Sequence, residues 1–367
     1  MFYVNNEYIH ERFLNYIIDQ KSSNSTTEEI SSELKNSTET VSLTCKEWLR
    51  ANQPPTDSLL IDVAVLKNYP NSKCNQATSG RKVKIAVPVG TNVSDESGVF
   101  DAVFYENSST VDFYTFYDDT TRITLKFETF QMDKFLIPLD KKLFIEYYRR
   151  SQLINCRNIT MNRKDYKQNI DPINGTKSLA ELRDILISYK MYPFLNGGTL
   201  LGWYRECSII PHTGDMDISV FVKDYNKKFL EHIRYNSSAF KLVRTLGMLN
   251  DSYEFTVVPK SDSKPRIDIF FMYYDKENNA SWVGGTGSKG GKYRYEYPKY
   301  DPYCAAVLKG HLFWITCSPD KMLEKEYGPK WTQDHPSSNF DWSKSHYNVK
   351  PNGNFPKDQL KEIIRYY

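Results

Sequence analysis

In the run Asp215-Met-Asp-Ile-Ser-Val-Phe221, carboxylates alternate with apolar side chains, and few folds accommodate that pattern. A β-strand sends successive side chains to opposite faces, so Asp215 and Asp217 project together while Met216, Ile218 and Val220 enter a core. Val222 extends the apolar set. Two carboxylates on one face repel each other, and a bound divalent cation is the usual relief. Just upstream, Asn196-Gly-Gly-Thr-Leu-Leu-Gly-Trp-Tyr-Arg205 reads as a glycine turn followed by a short helix carrying an arginine. Glycines let backbone N–H groups approach an anion near a helix start. Together these features describe a site for a metal-bound phosphate, and the implied chemistry is phosphoryl or nucleotidyl transfer.

A third carboxylate strengthens the reading. Arg266-Ile-Asp-Ile-Phe-Phe-Met-Tyr-Tyr274 is a second apolar strand, with Asp268 on the face opposite Ile267, Ile269 and Phe271. Asp215, Asp217 and Asp268 on two neighbouring strands form the metal-binding arrangement of a nucleotidyltransferase-type fold. The residues around them admit two readings each. Gly197 and Gly198 are either a plain turn or, with Thr199, an anion site. Arg205 is either a surface arginine or a group facing a diphosphate. Trp203 reads as packing, and His212 as an ordinary loop histidine. Gly285-Thr-Gly-Ser-Lys-Gly290 matches a dinucleotide fingerprint in spacing but reads as a loop, because no helix follows it. Lys289, Lys292 and Arg294 in or after that loop could offer charge to a phosphate.

Composition narrows the class. A chain of 367 residues with 40% hydrophobic and 25% charged residues can bury a sizeable core and suggests about two domains. Its net charge of +3 is too small for nucleic-acid binding by bulk electrostatics, and no basic tract with interleaved aromatics appears. Most of the 27 tyrosines and 20 phenylalanines are expected in cores, though such rings can also stack on sugars. The sequence shows no membrane-spanning apolar run and no signal-peptide core. Against that stand glycosylation acceptor sequences at Asn24, Asn36, Asn92, Asn107, Asn158, Asn174, Asn236, Asn250 and Asn279, an excess that points to a secretory history. A missing amino-terminal anchor would reconcile the two signals. The six cysteines contain no CxxC pair, which argues against a zinc knuckle and leaves structural disulfides of unknown connectivity.

Along the chain, residues 1–57 form a polar, partly disordered or helical segment, with Ser, Thr, Asn and Glu concentrated in 22–40. Residues 58–138 read as a β-rich domain with strands near 82–89, 99–105, 111–117 and 122–127, the last two joined by a hairpin at Asp118-Asp-Thr120. Residues 139–367 form the domain holding the aspartates. In it, 143–156 reads as helical, and Ser178-Leu-Ala-Glu181 resembles a capping box opening a helix with Leu179, Leu182, Leu186 and Tyr189 on one face. The fold class is therefore α/β, more closely α+β: a catalytic domain with a mixed sheet behind a smaller β-rich domain.

Several blocks in order resemble the LicD family of phosphotransferases, and its fukutin-like animal branch more closely. The glycine stretch with Leu-Leu-Gly-Trp-Tyr-Arg205, then Ile209-Ile-Pro211 and Asp215-x-Asp217, is similar to the family's first block. Arg266-Ile-Asp268-Ile-Phe-Phe is similar to its second, and Glu326-Tyr-Gly-Pro-Lys-Trp331 to its Tyr-Gly-x-x-Trp block. Phe144–Cys156 and Asn348–Pro356 resemble the fukutin-like branch, so the likeness covers about residues 136–367. It implies a stem-like domain before a nucleotidyltransferase-type domain, and transfer of ribitol 5-phosphate or a similar phospho-alcohol from a CDP-ribitol-like donor to a sugar hydroxyl of a dystroglycan-like glycoprotein. It further implies Mg²⁺ or Mn²⁺ on Asp215, Asp217 and Asp268, and a single-pass protein of the Golgi lumen associating with related transferases. LicD relatives often carry further aspartates where this chain has Thr213 and Gly214, which leaves one or two metals open. Two other functions remain to be separated: a nucleotidyltransferase releasing pyrophosphate, and a catalytically silent glycan-binding or escort protein.

Overall fold

The computed structural model describes residues 42–93, 98–163, 167–261 and 264–367. The polar stretch 22–40 and the acceptor residues Asn24 and Asn36 lie outside them. The other seven acceptor asparagines are all solvent-exposed. No helix among the described residues is long and apolar enough to cross a membrane.

The amino-terminal part opens with α1 (Cys45–Ala51), β1 (Ser58–Leu60), α2 (Val63–Asn68) and α3 (Cys74–Thr78). Helix α1 starts on a capping box between Thr44 and Glu47, which satisfies two otherwise unpaired groups at the helix end. Strands β2 (Val83–Pro88), β3 (Phe100–Glu106), β4 (Phe113–Tyr117) and β5 (Thr121–Leu125) follow. The turn at Asp118–Thr120 joins β4 and β5 as an antiparallel hairpin, as the sequence suggests. Two short strands, β6 (Thr129–Met132) and β7 (Phe135–Pro138), complete this part. Its core gathers Leu49, Leu60, Ile85, Val87, Phe100, Phe116 and Phe135, so α1 belongs to the packed structure despite the polar sequence before it.

Two helix boundaries differ from the sequence reading. Helix α4 covers Lys141–Arg149 and stops there, because Arg150 caps it and the chain turns into the short strand β8 (Gln152–Leu153). Helix α5 runs from Pro172 to Ser188, so Ser178 sits inside it and does not start it. Asp171 accepts a hydrogen bond from the Asn174 amide and Pro172 occupies the first turn, a stronger start signal than the later Ser-x-x-Glu. Leu179, Leu182 and Leu186 face the core as expected.

The remaining elements build the larger sheet. They are β9 (Phe194–Leu195), α6 (Gly197–Glu206), β10 (Asp215–Phe221), α7 (Lys227–Glu231), β11 (Phe240–Met248), β12 (Asp251–Pro259) and β13 (Arg266–Asp275). Then come β14 (Ala280–Thr286), β15 (Gly291–Pro298), β16 (Cys304–Leu308), β17 (His311–Ile315), α8 (Pro319–Tyr327), β18 (Val349–Asn354), α9 (Leu360–Ile363) and β19 (Ile364–Tyr366). The spatial order β9-β10-β13-β12-β11-β19 contains one parallel pair, β10 with β13, among antiparallel neighbours. The sheet is therefore mixed and the class α+β. Met216, Ile218 and Val220 of β10 and Ile267, Ile269 and Phe271 of β13 share one buried face with Trp203 and the α5 leucines. Strand β8 pairs with both β5 and β16 and ties the amino-terminal strands to this sheet.

Two disulfides, Cys156–Cys207 and Cys304–Cys317, settle a connectivity that the sequence leaves open. The first fastens the end of α6 to the strand-like segment whose Arg157 and Ile159 amides donate to the carbonyls of Tyr204 and Arg205. Closing a loop restricts the unfolded chain, and the effect grows with loop length. Replacing Cys156 and Cys207 together by Ser should cost about 4 kcal/mol, and replacing Cys304 and Cys317 about 3 kcal/mol. Urea denaturation of the two double variants checks both size and order, and equal losses would contradict a loop-length origin.

Candidate active site

The parallel pairing of β10 with β13 sets Asp217 directly beside Asp268, and Asp215 beside Arg266. Asp215 is exposed, Asp217 half-buried, and Asp268 only 7% exposed. The three aspartates line one cavity of about 750 Å³, together with Glu254 of β12 and Glu326 of α8. Carboxylates this crowded and this poorly hydrated resist ionisation. Burial, then the charges of Asp215 and Asp268, push the Asp217 carboxyl well above the usual range. Burial likewise raises Asp268, against the pull of Thr256 and Arg244. Glu254 is pushed up to about 8, chiefly by burial and then by the Asp268 charge.

Each buried aspartate has its own holder. The Gly198 amide donates to Asp217 Oδ2 at 2.9 Å, and the Asp217 amide donates to Thr199 Oγ1 at 2.6 Å. The glycines permit this approach. Gly197 has φ +51°, and a Cβ there would lie 2.9 Å from Asp217 Oδ2. The Gly198 amide thus grips the carboxylate directly while Thr199 holds the Asp217 backbone, and that amide does not stand free for a phosphate. On the other strand, the Thr256 hydroxyl donates to Asp268 Oδ1, and Arg244 Nη2 lies 3.6 Å from Asp268 Oδ2. Arg244 also donates to Thr256 Oγ1 at 2.8 Å and to Glu254 Oε1 at 2.9 Å. Among the described residues, no lysine or arginine forms an ion pair with Asp215 or Asp217.

The other sequence candidates separate clearly. Arg205 reaches the cavity wall but is 2% exposed and committed to protein partners. It donates to Glu206 at 2.9 Å and to the Gln333 carbonyl at 2.9 Å, and lies 3.3 Å from Asp334. Arg163 joins the same group through Glu206 and Asp334, and His212 through Asp334 and Ser337. These arginines fasten the chain after Trp331 over the cavity. Lys289 and Lys292 do not line the cavity. They belong to the hairpin between β14 and β15, where Lys292 pairs with Asp251 at 2.9 Å, and Arg294 pairs with Asp275 at 2.7 Å. A strand, not a helix, follows the glycines, so the dinucleotide reading fails on geometry.

Several residues in or beside the cavity escaped the sequence reading. Glu254 and Thr256 alternate with Phe255 and Val257 in β12, the same pattern that exposed Asp215 and Asp217. Glu326 and Lys330 belong to the Tyr-Gly-x-x-Trp block, and both line the cavity. Lys330 is exposed and makes no ion pair among the described residues, so its charge is available to a ligand.

Arg205→Lys tests the fastening role. A lysine cannot serve Glu206, Gln333 and Asp334 together, and the loss should be about 2 kcal/mol of stability. Urea denaturation should record it, while turnover per folded molecule stays near wild type. Unchanged stability with lost turnover would return Arg205 to the ligand.

Comparison with known proteins agrees with this layout. Residues 44–155 match the family described as "W02B3.4-like, N-terminal domain", and residues 190–317 match "LicD/FKTN/FKRP, nucleotidyltransferase domain". The latter span contains Gly197, Asp215, Asp217, Glu254 and Asp268. The uncharacterized protein W02B3.4 of Caenorhabditis elegans is 44% identical over 88% of this chain and 85% of its own length. The uncharacterized protein T07A5.1 of the same organism is 41% identical over 90% and 89%. Human ribitol-5-phosphate transferase FKTN is 32% identical over 63% of this chain, and the match spans half of the human protein. The chain belongs to the family of these nematode proteins and is a fukutin-like member of the LicD transferases.

Proposed function

We propose that the protein transfers a phospho-alcohol, ribitol 5-phosphate or a close analogue, from a CDP-linked donor to a sugar hydroxyl of a glycoprotein glycan. The observation that carries this reading is the in-register pair Asp217 and Asp268 on the wall of one cavity. The likeness to a protein named ribitol-5-phosphate transferase supports the choice of group transferred. The two disulfides and seven exposed acceptor asparagines support a secretory compartment, the Golgi lumen included.

The donor set suits a hard divalent cation. Among the described residues, no three His, Cys, Asp or Glu side chains form a ready-made ion cage. Mg²⁺ seldom needs one, since it takes one or two carboxylates and completes its shell with substrate phosphates and water. Asp217 and Asp268, side by side with raised proton affinity and no lysine to neutralise Asp217, supply that pair, and Asp215 extends it. Bound Mg²⁺ or Mn²⁺ would offset charge on the diphosphate and on the departing nucleotide.

The chain's own groups do the remaining work. In this reading Lys330 answers the donor phosphates, supported by its exposure on the cavity lining, while the Gly198 amide stays with Asp217. A sugar oxygen forms the new bond to the donor's alditol-linked phosphorus, the bond from that phosphorus to CMP breaks, and CMP leaves with the electron pair. The hydroxyl proton passes to a carboxylate. We assign that role to Asp268, a reading supported by the single orientation in which Thr256 and Arg244 hold it.

Asp217→Asn and Asp268→Asn keep volume and remove charge, and each should lower transfer at least a hundredfold while the protein stays folded. Chelation with EDTA should have the same effect, reversed by added Mn²⁺. The readout is CMP release from CDP-ribitol and other CDP-alcohols. Pyrophosphate release from a nucleoside triphosphate would establish nucleotidyl transfer in its place, and wild-type turnover in either variant would remove the pair from the chemistry.

A further inference from the structure

Two aromatic rings of the cavity face solvent. Trp342 is 45% exposed and Tyr347 is 70% exposed, and both line the cavity. Neither is loose. A Cβ on Gly285 would come within 2.8 Å of the Trp342 ring, and a Cβ on Gly328 within 2.5 Å of the Tyr347 ring. Each ring thus rests in a notch that only glycine leaves open. The backbone is held as well: the Tyr295 hydroxyl donates to the Trp342 carbonyl at 2.6 Å, and the Tyr347 amide donates to the Glu326 carbonyl at 2.8 Å. Tyr293 meets Trp342 edge to face at 5.1 Å. Rings fixed from beneath and open above lose little freedom when something stacks on them.

We infer that Trp342 and Tyr347 form the subsite for the acceptor sugar, stacking on the apolar C–H face of a pyranose while the carboxylates behind them address its hydroxyls. This rests on the phosphotransferase reading and names its second substrate. A nucleobase could also stack on such rings. The acceptor is favoured by exposure. The donor is a small molecule that a cavity of about 750 Å³ can take whole, beside walls of buried Tyr295, Tyr297 and Trp331. The acceptor is the end of a glycan chain that must run out into solvent, where the exposed rings lie. The segment carrying them is the one fastened by Arg205 and Arg163, so the platform has a fixed position.

The test uses the full chain and the variants Trp342→Ala and Tyr347→Ala, with Trp342→Phe and Tyr347→Phe as ring-preserving controls. Saturation-transfer NMR with methyl pyranosides of glucose, galactose, mannose and the two N-acetylhexosamines reads binding without any reaction. Signal from at least one pyranoside on wild-type protein, lost in both Ala variants and kept in both Phe variants, is expected. Transfer kinetics should show acceptor KM raised at least tenfold in each Ala variant, with donor KM unchanged. A rise in donor KM instead would assign the rings to the nucleobase and overturn the proposal. So would pyranoside signals absent from wild type or unaffected by the Ala changes. If wild-type protein releases no CMP from any CDP-alcohol, the phosphotransferase reading fails, and the NMR comparison still decides whether the rings hold a sugar. Should one Ala variant misfold, the other carries the comparison alone.

Discussion

Placing Asp217 beside Asp268 on adjacent strands is the constraint to which the surrounding structure responds. Two carboxylates at neighbouring register positions, shielded from water, raise each other's proton affinity and destabilise the fold unless something answers their charge. The chain answers on each side of the pair. A glycine turn brings the Gly198 amide to the Asp217 carboxylate, β12 contributes the Thr256 hydroxyl to Asp268, and Arg244 of β11 adds a partial counter-charge. Neither answer neutralises the pair. The residual electrostatic cost is what a cation bound with a diphosphate would relieve.

The parallel pairing is what makes the arrangement possible. In an antiparallel sheet, adjacent strands joined by a tight hairpin could supply two carboxylates from residues close in sequence. Here β10 and β13 are separated by α7, β11 and β12, and the chain returns to lie beside its earlier strand in the same direction. That return inserts β12 on the far side of β13, where Glu254 lines the same cavity as the aspartates and the buried Thr256 reaches Asp268. The support of Asp268 therefore follows from topology: β12, the neighbour of β13, sets Thr256 opposite Asp268, and β11, one strand further, sets Arg244 opposite Thr256.

Strand periodicity was the most readable part of this molecule, because burial on one face enforces it. The patterns at 215–221 and 266–274 predict both strands and the faces of all three aspartates, and the structure agrees. Helix starts were less readable where two signals competed: Ser178-x-x-Glu181 has capping chemistry, but Asp171-Pro172 lies upstream and the helix has no reason to break between them. Arg205 shows a different limit. Its residue type and distance from the glycines suit a phosphate ligand, yet its partners Glu206, Gln333 and Asp334 include two residues more than 120 positions away. No local pattern reveals that a distant loop will claim the guanidinium. Lys289 and Lys292 show the same limit: the glycines around them form a hairpin, Lys292 pairs with Asp251, and neither lysine lines the cavity.

The role of the carboxy-terminal segment follows from those distant contacts. Residues 331–347 add no strand to the sheet, yet they wall the cavity with Trp331, Phe340 and Trp342 and are fastened by two arginines from the other side of the site. The sheet supplies fixed carboxylates, which any reaction at phosphorus could use. The rest of the cavity lining draws on this segment and on Tyr295 and Tyr297 of β15. Carboxylates and much of the cavity wall are thus supplied by separate parts of the chain, and the buried network of Arg163, Arg205, Glu206 and Asp334 ties α6 to the second of them. A change in the wall can alter what is bound while leaving the aspartates where the sheet holds them.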